Sequence, residues 1–326
     1  GAGSDVYKVS DGDDVIISGG GSDRLELGAD YTFEGALLDP ETGDLTLNLL
    51  KDGTAHSVTV VNSVLAPVQT LRIFSSGSEF EDFRLSVDFD SSSNTYTAST
   101  NLPTIMVGSD QTEALVGGGG DDRLIANKGD DTLDGGSGND RLLGGEGDNL
   151  FRVTSGDDVI TIGGGSDTLQ LAGSVFGIKQ ADGNLRFDAS LDGEVYSATI
   201  LDQLNDPLTN IELIDSSGEV LRYSFAVGTD ASESVDPTFV VGSDDPETLI
   251  GGSSNDQLIA NDGDDILIGG AGDDALAGGE GVDTASYFNT DLAITVDLTS
   301  GDAFGEDVGS DKLFSIENVI AGSGDD

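Results

Sequence analysis

Large apolar residues return at every ninth position through the middle of the chain. The segment from Gly117 to Arg152 reads GGGGDDRLI, ANKGDDTLD, GGSGNDRLL and GGEGDNLFR. Within each nonapeptide the fourth place is Gly, the sixth is Asp or Asn, and the eighth is Leu or Phe. Glycine adopts positive φ without steric cost and so permits a tight turn, and the residues around the eighth place suit a very short strand. The pattern therefore predicts one turn and one short strand in each nonapeptide.

Units of this kind wind into a solenoid in which two nonapeptides form one coil. Loops on the same side are then eighteen residues apart and stack at the spacing of strands, about 4.8 Å. Each sixth-place carboxylate would lie beside a like charge and among backbone carbonyls. These oxygens repel one another unless a hard cation lies between them, and Ca²⁺ binds six to eight oxygens. The spacing thus predicts a parallel β-roll loaded with calcium.

The nine-residue period breaks twice along the chain, and the breaks define the expected domains. We expect all-β structure, with parallel β-roll blocks alternating with antiparallel β-rich inserts. Both long inserts alternate apolar and polar residues around an Asp-Gly pair, Asp52-Gly53 and Asp192-Gly193, which is a strong hairpin signal. The second insert duplicates the first, so a unit of about 140 residues occurs about twice. The expected segments are a repeat remnant at 1–27, an insert at 28–106, a repeat block at 107–171, an insert at 172–240, a repeat block at 241–287, and a linker with a truncated repeat at 288–326.

Composition narrows the classes of function. The 326 residues carry a net charge of −49 with only 13 Lys and Arg, which argues against binding nucleic acid or anionic membranes. There is no Cys, so neither disulfides nor zinc–thiolate sites can stabilise the chain. No apolar run reaches the length of about 18 residues that would span a bilayer. Cations are the remaining means of neutralising so acidic a chain.

The nonapeptides resemble the Gly-Gly-x-Gly-x-Asp repeats of RTX (repeats-in-toxin) proteins, which bind calcium in a β-roll. DLTLNLLKDGTAHSVTVVNSV in the first insert and ASYFNTDLAITVDLTSGDA near the C-terminus resemble segments that flank such repeats. The resemblance implies several Ca²⁺ ions, an extracellular or cell-surface location, and export by type I secretion machinery acting on a larger protein. A disordered Gly/Asp-rich linker is the alternative, but it gives no reason for an apolar residue at every ninth place.

The resemblance also implies ligands, residue by residue. Carboxylate or amide oxygens would come from the sixth places, and backbone carbonyls from the second and fourth places. The sixth-place candidates are Asp5, Asp14, Asp23, Asp122, Asp131, Asp140, Asn149, Asp158, Asp167, Asp256, Asp265, Asp274 and Asp283. The carbonyl candidates are Gly118, Gly120, Asn127, Gly129, Gly136, Gly138, Gly145, Gly147, Gly156, Gly165, Gly252, Ser254, Asn261, Gly263, Gly270, Gly272, Gly279 and Gly281. The eighteen-residue rule pairs Asp5 with Asp23, Asp122 with Asp140, Asp131 with Asn149, Asp140 with Asp158, Asn149 with Asp167, Asp256 with Asp274, and Asp265 with Asp283.

Several positions depart from the repeat. Asn149 offers an uncharged oxygen, so we expect weaker sites there. Glu113 and Glu247, at the start of their blocks, are either solvated caps or ligands. Ala126 and Ala260 replace first-place glycines, and Ser254 replaces a fourth-place glycine, so we expect distorted loops at all three because Ala and Ser tolerate positive φ poorly.

Catalytic signatures are absent from the sequence, and we expect no enzymatic activity. His56 is the only histidine and lies on a predicted hairpin, and no G-x-S-x-G or H-E-x-x-H motif occurs. Some RTX proteins cleave themselves at Asp-Pro bonds. We interpret the four such bonds here as turn initiators instead. They are Asp39-Pro40, Asp206-Pro207, Asp236-Pro237 and Asp245-Pro246.

The sequence therefore predicts the calcium-binding region of a large secreted bacterial protein. Each buried Leu of the roll contributes about 2 kcal/mol, which is little against the entropy of so Gly-rich a chain. We expect the region to fold on Ca²⁺ after export and to serve as a structural and secretion module. The alternative is an adhesion module whose inserts bind a glycan or host surface. An ice-binding face would need a ladder of Thr and Asn, and the third places Gly119, Lys128, Ser137 and Glu146 do not provide it.

Both termini lie inside repeats, because Gly1 begins GAGSDVYKV and Asp326 is the sixth residue of AGSGDD. We therefore expect a segment of a longer adhesin or toxin, two possibilities that the sequence does not separate.

Overall fold

The structure is a computed structural model. It describes residues 3–17, 23–38, 44–61, 68–76, 79–84, 88–90, 94–98, 101–181, 184–201, 208–215, 217–227 and 237–326. Strands and turns make up these residues, and none of them is helical. Accordingly, no helix long and apolar enough to cross a membrane occurs in the described part of the chain. The all-β prediction is confirmed. The chain divides into two compact units, residues 1–167 and 168–326.

Seventeen strands are described in the first unit, of which the later ones build a roll. The strands are β1 (Val6–Lys8), β2 (Asp13–Ile16), β3 (Asp23–Leu27), β4 (Thr32–Leu38), β5 (Leu45–Lys51), β6 (Thr54–Val60), β7 (Val68–Ser76), β8 (Glu79–Arg84), β9 (Asp88–Asp90), β10 (Thr95–Thr97), β11 (Ile105–Val107), β12 (Ala114–Val116), β13 (Arg123–Ile125), β14 (Thr132–Asp134), β15 (Arg141–Leu143), β16 (Leu150–Val153) and β17 (Asp157–Thr161).

Two stacks of parallel strands form the roll of the first unit. β10, β12, β14 and β16 make one stack, and β11, β13, β15 and β17 make the other. Leu124 pairs with Leu142, and Leu133 with Phe151, which is the predicted offset of eighteen residues. All four side chains are fully buried. The apolar eighth places therefore form the thin core between the two stacks, as predicted.

The first insert packs antiparallel strands beside the first repeats. β4, β5 and β6 form a meander, and β6 continues it by pairing in parallel with β2. The turn between β5 and β6 has positive φ at Asp52 (50°) and Gly53 (74°). This two-residue hairpin loop confirms the prediction made from the Asp-Gly pair. β1, β3 and β7 run in parallel, and β8 returns antiparallel to β7.

Sixteen strands are described in the second unit. They are β18 (Thr168–Ala172), β19 (Ser174–Ala181), β20 (Asn184–Leu191), β21 (Glu194–Ile200), β22 (Asn210–Ile214), β23 (Val220–Val227), β24 (Thr238–Val241), β25 (Thr248–Gly252), β26 (Gln257–Ile259), β27 (Ile266–Gly270), β28 (Ala275–Ala277), β29 (Thr284–Ser286), β30 (Ile294–Asp297), β31 (Asp302–Gly305), β32 (Gly309–Phe314) and β33 (Asn318–Ile320).

The second unit repeats the plan of an antiparallel insert followed by a roll. β19, β20 and β21 form a meander whose second turn has positive φ at Asp192 (53°) and Gly193 (87°), which confirms the second hairpin prediction. The roll stacks β24, β26, β28 and β32 on one side and β25, β27, β29 and β33 on the other. β30 and β31 form a hairpin that leads antiparallel into β32. Strands of the C-terminal linker thus extend both stacks.

Candidate metal centre

The six-residue loops owe their shape to glycine at the second and fourth places. In the loop of residues 135–140, Gly136 has φ of 92° and Gly138 has φ of 131°. A Cβ on either residue would come closer than 3.0 Å to a carbonyl oxygen of the loop below, that of Gly118 or of Gly120. Positive φ and close backbone approach therefore both require glycine here.

The loops that begin with Ala correct one prediction. Asn127 (φ 75°) and Asn261 (φ 72°) hold the positive φ of the second place, while Ala126 and Ala260 keep negative φ. The first place needs no left-handed backbone, so the expected distortion at Ala126 and Ala260 is wrong. Ser254 does differ from its neighbours. The glycines at the fourth places of its block, such as Gly263 (φ 131°), have positive φ, and Ser254 does not.

The sixth-place side chains form a ladder along each side of each roll. One carboxylate oxygen accepts a hydrogen bond from the backbone N–H of the sixth-place residue eighteen positions earlier. The N···O distance is 2.8 Å from Asp122 to Asp140 and 2.9 Å from Asp140 to Asp158. Every pair expected from the eighteen-residue rule is joined in this way, including Asp5 with Asp23, Asp131 with Asn149, Asn149 with Asp167, Asp256 with Asp274, and Asp265 with Asp283.

In seven of the sixth-place aspartates, the other carboxylate oxygen is buried and lacks a hydrogen-bond partner among the described residues. The side chains concerned are at most 2% exposed. Such an atom is destabilising, because burial removes its hydration and nothing replaces it. The atoms are Oδ2 of Asp122, Asp131, Asp140, Asp256, Asp265, Asp274 and Asp283.

These Oδ2 atoms lie beside backbone carbonyls. A Cβ built on Gly117 would lie 2.5 Å from Asp122 Oδ2 and 2.6 Å from the carbonyl oxygen of Gly135. Over Gly251 the corresponding distances are 2.7 Å to Asp256 Oδ2 and 2.6 Å to the carbonyl oxygen of Gly269. A carboxylate and a carbonyl oxygen so close together repel, and a hard divalent cation relieves the repulsion. The donor set therefore fits Ca²⁺, with first-place carbonyls that the sequence analysis did not select.

The carbonyls that were selected, at the second and fourth places, lie between stacked loops. The second-place oxygen of Gly118 accepts a hydrogen bond from Ser137 N (2.9 Å), and that of Asn127 accepts one from Glu146 N (2.8 Å). A carbonyl oxygen has a second lone pair and remains able to bind a cation. Carboxylates alone do not form a site, since no cluster of three or more His, Cys, Asp or Glu side chains able to hold a metal occurs in the described residues. Backbone carbonyls are thus essential to any ion bound here.

Burial changes the acidity of the sixth-place carboxyls. It raises the pKa of Asp122 and Asp158 to about 8 and the pKa of Asp274 to about 7, and like-charged neighbours add to the effect. The pKa of Asp283 is raised for the same reasons, with Glu317 among the like charges. Without a cation, these groups therefore favour the protonated form.

A second ladder, which the sequence analysis missed, runs along the fifth places. Its hydrogen bonds run in the opposite direction, because here the side-chain acceptor belongs to the residue eighteen positions earlier. Asp121 Oδ1 accepts from Asn139 N (2.9 Å), and Asn139 Oδ1 accepts from Asp157 N (2.8 Å). Asp264 Oδ1 likewise accepts from Val282 N (3.0 Å). The recurrence of Asp or Asn at the fifth place was the available signal.

Asn149 completes its own hydrogen bonding. Its Oδ1 accepts from Asp131 N (3.1 Å), and its Nδ2 donates to the carbonyl oxygen of Gly147 in the same loop (3.1 Å). The amide nitrogen therefore occupies the position that Oδ2 takes in the aspartates. This loop has a donor where the others have a bare oxygen.

The first loops of the blocks, 108–113 and 242–247, also complete their own hydrogen bonding. Ser109 donates its backbone N–H to Glu113 Oε2 (2.7 Å) and its hydroxyl to Oε1, and Ser243 bonds Glu247 in the same way. These contacts favour the interpretation of Glu113 and Glu247 as caps of their blocks over their interpretation as calcium ligands. Asp14 is similar, because Ser10 donates its backbone N–H to Oδ2 (2.9 Å) and its hydroxyl bonds both oxygens.

Two acidic residues of the C-terminal linker join the ladders and were not predicted. Asp311 Oδ1 accepts from Asp274 N (3.0 Å), and Glu317 Oε2 accepts from Asp283 N (2.8 Å). The hydroxyl of Tyr287 donates to Asp311 Oδ2 (2.9 Å). The available signal was the segment GSDKL at 309–313, which repeats GSDRL at 21–25 and GSDTL at 165–169.

The residues considered for catalysis have structural contacts where the structure describes them. His56 Nδ1 accepts a hydrogen bond from Gly12 N (2.9 Å), and its ring packs edge-on against Tyr31 at 5.7 Å between ring centroids. Asp245-Pro246 lies in the first loop of the third repeat region, where Asp245 N donates to the Ser243 hydroxyl (3.2 Å). Asp39-Pro40, Asp206-Pro207 and the Asp of Asp236-Pro237 lie outside the described residues.

Comparison with known proteins points to the same repeats. The family model of the RTX calcium-binding nonapeptide repeat (4 copies) matches residues 1–33, 107–142, 116–151, 136–169 and 241–285. No curated protein matches the chain. Among solved structures, the extracellular lipase LipA from Serratia marcescens is 18% identical, with a TM-score of 0.23, and the match covers 61% of this chain and 36% of that one. The matched ranges coincide with the loops described above, and the chain carries the calcium-binding nonapeptide repeats of RTX proteins.

Proposed function

We propose that the chain is a calcium-gated structural module of a larger protein exported by type I secretion. The observation that carries the proposal is the set of buried Oδ2 atoms for which the described residues provide no hydrogen bond. Calcium supplies the positive charge that these atoms need. The module then folds where calcium is abundant and remains open, and so able to pass through a secretion channel, where calcium is scarce.

The chain's own groups have distinct roles in this proposal. Sixth-place aspartates provide one oxygen for the ladder hydrogen bond and one for the cation. First-, second- and fourth-place carbonyls supply the uncharged oxygens. The apolar eighth places exclude water from the core but add little free energy, since each strand buries about one large side chain. We infer that the module is not catalytic, because backbone N–H groups and the proposed calcium ions account for its sixth-place carboxylates.

Adhesion through the inserts is the second candidate, and the tyrosines give it little support. Tyr31, Tyr96 and Tyr196 are at most 8% exposed, and Tyr223 packs edge-on against Phe239 at 4.9 Å between ring centroids. Stacking on a sugar needs an exposed aromatic face. We therefore propose the calcium-gated structural function ahead of adhesion, whether the larger protein is an adhesin or a toxin.

A calcium titration followed by far-UV circular dichroism tests the proposal, with magnesium as the control ion. We expect a cooperative gain of β signal between about 0.1 and 1 mM calcium, the range of extracellular calcium modules, and no gain with magnesium. A full β signal in chelator would contradict gating by calcium. In that case the roll would be an ordinary solenoid, and the inserts would become the place to look for function.

A further inference from the structure

The turn of residues 315–317 closes the roll beyond the last matched nonapeptide. It follows β32 and precedes β33, which pairs in parallel with β29. Gly278 N donates to the carbonyl oxygen of Phe314 (3.0 Å), and Glu317 N and Asn318 N donate to that of Asp283 (3.1 and 2.9 Å). Where a regular loop uses six residues between strands, this turn uses three. It lies outside every range that the repeat family matches.

Asp283 directs an unsatisfied oxygen at this turn. Its side chain is fully buried, and its Oδ1 accepts from Asp265 N (3.0 Å). Its Oδ2 has no hydrogen-bond partner within the described residues. This Oδ2 and the carbonyl oxygen of Ser315 both lie within 3.0 Å of the position that a Cβ on Gly278 would take. The pair repeats the arrangement of Asp122 Oδ2 and the Gly135 carbonyl over Gly117.

Glu317 adds a second carboxylate to the same place. Its Oε2 accepts from Asp283 N (2.8 Å), which is the role of the sixth-place aspartate in a regular loop. The longer glutamate side chain suits a turn that is shorter by three residues. A second carboxylate thus lies one hydrogen bond from the backbone of Asp283, whose Oδ2 lies near the Ser315 carbonyl, where the family pattern supplies no loop.

The opposite side of the roll ends differently and provides an internal contrast. There Asp311 takes the sixth place, and the Tyr287 hydroxyl donates to its Oδ2 at 2.9 Å. That oxygen is satisfied by an O–H group of the protein. The last repeat aspartates of the two sides, Asp274 and Asp283, both keep an Oδ2 without a donor among the described residues, so the two sides differ in the linker carboxylate that follows.

We propose that Asp283, Glu317 and the carbonyl oxygen of Ser315 form a divalent-cation site, suited to calcium, that fastens the C-terminal linker to the roll. The site rests on the proposed function, because it assumes that the regular loops take up calcium. The ion joins a repeat residue to a turn outside the repeats. It therefore closes the end of one strand stack, beyond the last nonapeptide that the repeat family matches.

Native mass spectrometry of the full chain in calcium tests the site by counting bound ions. Glu317→Gln keeps an acceptor for Asp283 N–H and removes one charge. Glu306→Gln makes the same change on the exposed turn between β31 and β32 and serves as the control. We expect E317Q to bind one ion fewer than the wild type and E306Q to bind the same number. Equal counts for E317Q and the wild type would overturn the site.

Other results of the same experiment distinguish failure of this site from failure of the proposed function. If the wild type binds no calcium, the proposed function fails together with the site. If E317Q loses more than one ion, the substitution has disturbed the block, and Glu317→Asp then decides because it keeps the charge. A wild-type count for E317D supports the site, whereas a count equal to that of E317Q contradicts a role for the carboxylate charge.

Discussion

The first loop of a repeat block and an interior loop use the same sixth place in opposite ways. In the first loop, Ser109 donates to both oxygens of Glu113. In an interior loop, Asp140 Oδ1 accepts from Asp122 N, while the described residues leave its Oδ2 without a partner. In the first loop the protein satisfies both carboxylate oxygens, and we call such a loop complete. In the interior loop one carboxylate oxygen requires a cation or a proton, and we call such a loop incomplete. The need for calcium therefore resides in individual loops and is not uniform along the roll.

The largest expected effect is that of pH on the stability of the incomplete loops, whose buried sixth-place carboxyls have raised pKa values. Burial raises the pKa of Asp122, Asp140 and Asp274 from 3.8 to about 8, 6 and 7. A carboxyl whose pKa is higher in the folded state binds protons more tightly when folded. Its contribution to stability is therefore fully present below pH 3.8 and is lost as the pH rises through about 6 to 8. We expect the calcium-free chain to be more stable at pH 5.5 than at pH 8, as measured by thermal unfolding in calcium-depleted buffer.

Saturating calcium should reverse this dependence on pH. Calcium binds the deprotonated carboxylates, so acid competes with the ion and weakens the loaded fold. The same unfolding measurement with calcium present provides the control. A calcium-free chain whose stability rises from pH 5.5 to pH 8 would show that the buried aspartates do not govern the fold.

Moving the serine of the first loop into an interior loop tests whether serine alone makes a loop complete. Gly136→Ser places it at the second place, but Gly136 has φ of 92° and its Cβ would come closer than 3.0 Å to the Gly118 carbonyl oxygen. We expect a loss of roughly 1–3 kcal/mol or more in the free energy of unfolding, because the backbone strain is not relieved. Chemical denaturation in saturating calcium measures this loss.

Gly164→Ser is the matched control for Gly136→Ser. Gly164 lies in the same unit, has no positive φ, and has no atom within 4 Å of a built Cβ among the described residues. We expect a change within about 0.5 kcal/mol. If G136S were as stable as G164S and needed less calcium, the distinction between first and interior loops would reduce to one hydroxyl group.

The features that repeat were predictable from the sequence, and the features that interrupt the repeat were not. The period of nine fixed the strand register, and the Asp-Gly pairs fixed both hairpin turns. Which Oδ2 lacks a donor depends on contacts outside the period, such as that between Tyr287 and Asp311, 24 residues apart. The three-residue turn at 315–317 carries no glycine signal, because Ser315 itself takes the positive φ of 49°. The error at Ala126 arose because the left-handed positions are the second and fourth places, and Ala126 stands at the first.

Asn149 allows an incomplete loop to be made from a complete one. Asn149→Asp removes the amide that donates to the Gly147 carbonyl and puts a carboxylate oxygen in its place. We expect the variant to be less stable than the wild type by about 1–3 kcal/mol in chelator at pH 5.5, where protonation of the other aspartates favours the fold, and to bind calcium more tightly or in greater number at neutral pH. Isothermal titration calorimetry and unfolding in chelator measure the two effects.

The reverse substitution, Asp140→Asn, should reduce the calcium requirement and is the companion to Asn149→Asp. Asp140 lies in the loop that precedes the loop of Asn149, and the substitution again exchanges a carboxylate and an amide. Identical calcium binding in N149D and the wild type would indicate that the ion does not contact this place.

Tyr287 tests the smallest of the expected effects, at an end of the roll that is complete without an ion. Its hydroxyl donates to Asp311 Oδ2, and Asp311 is fully buried. Tyr287→Phe leaves the ring in place and turns Asp311 into an incomplete sixth place, like Asp140. We expect a loss of about 1–3 kcal/mol in chelator at pH 5.5, where protonation favours the calcium-free fold, and calcium partly restores it because the freed oxygen can then take part in binding an ion. Thermal unfolding with and without calcium measures it, with Tyr223→Phe as the control. An equal loss under both conditions would mean that hydroxyl and cation are not interchangeable here, and that the geometry of the regular loops, rather than the bare oxygen, determines where calcium binds.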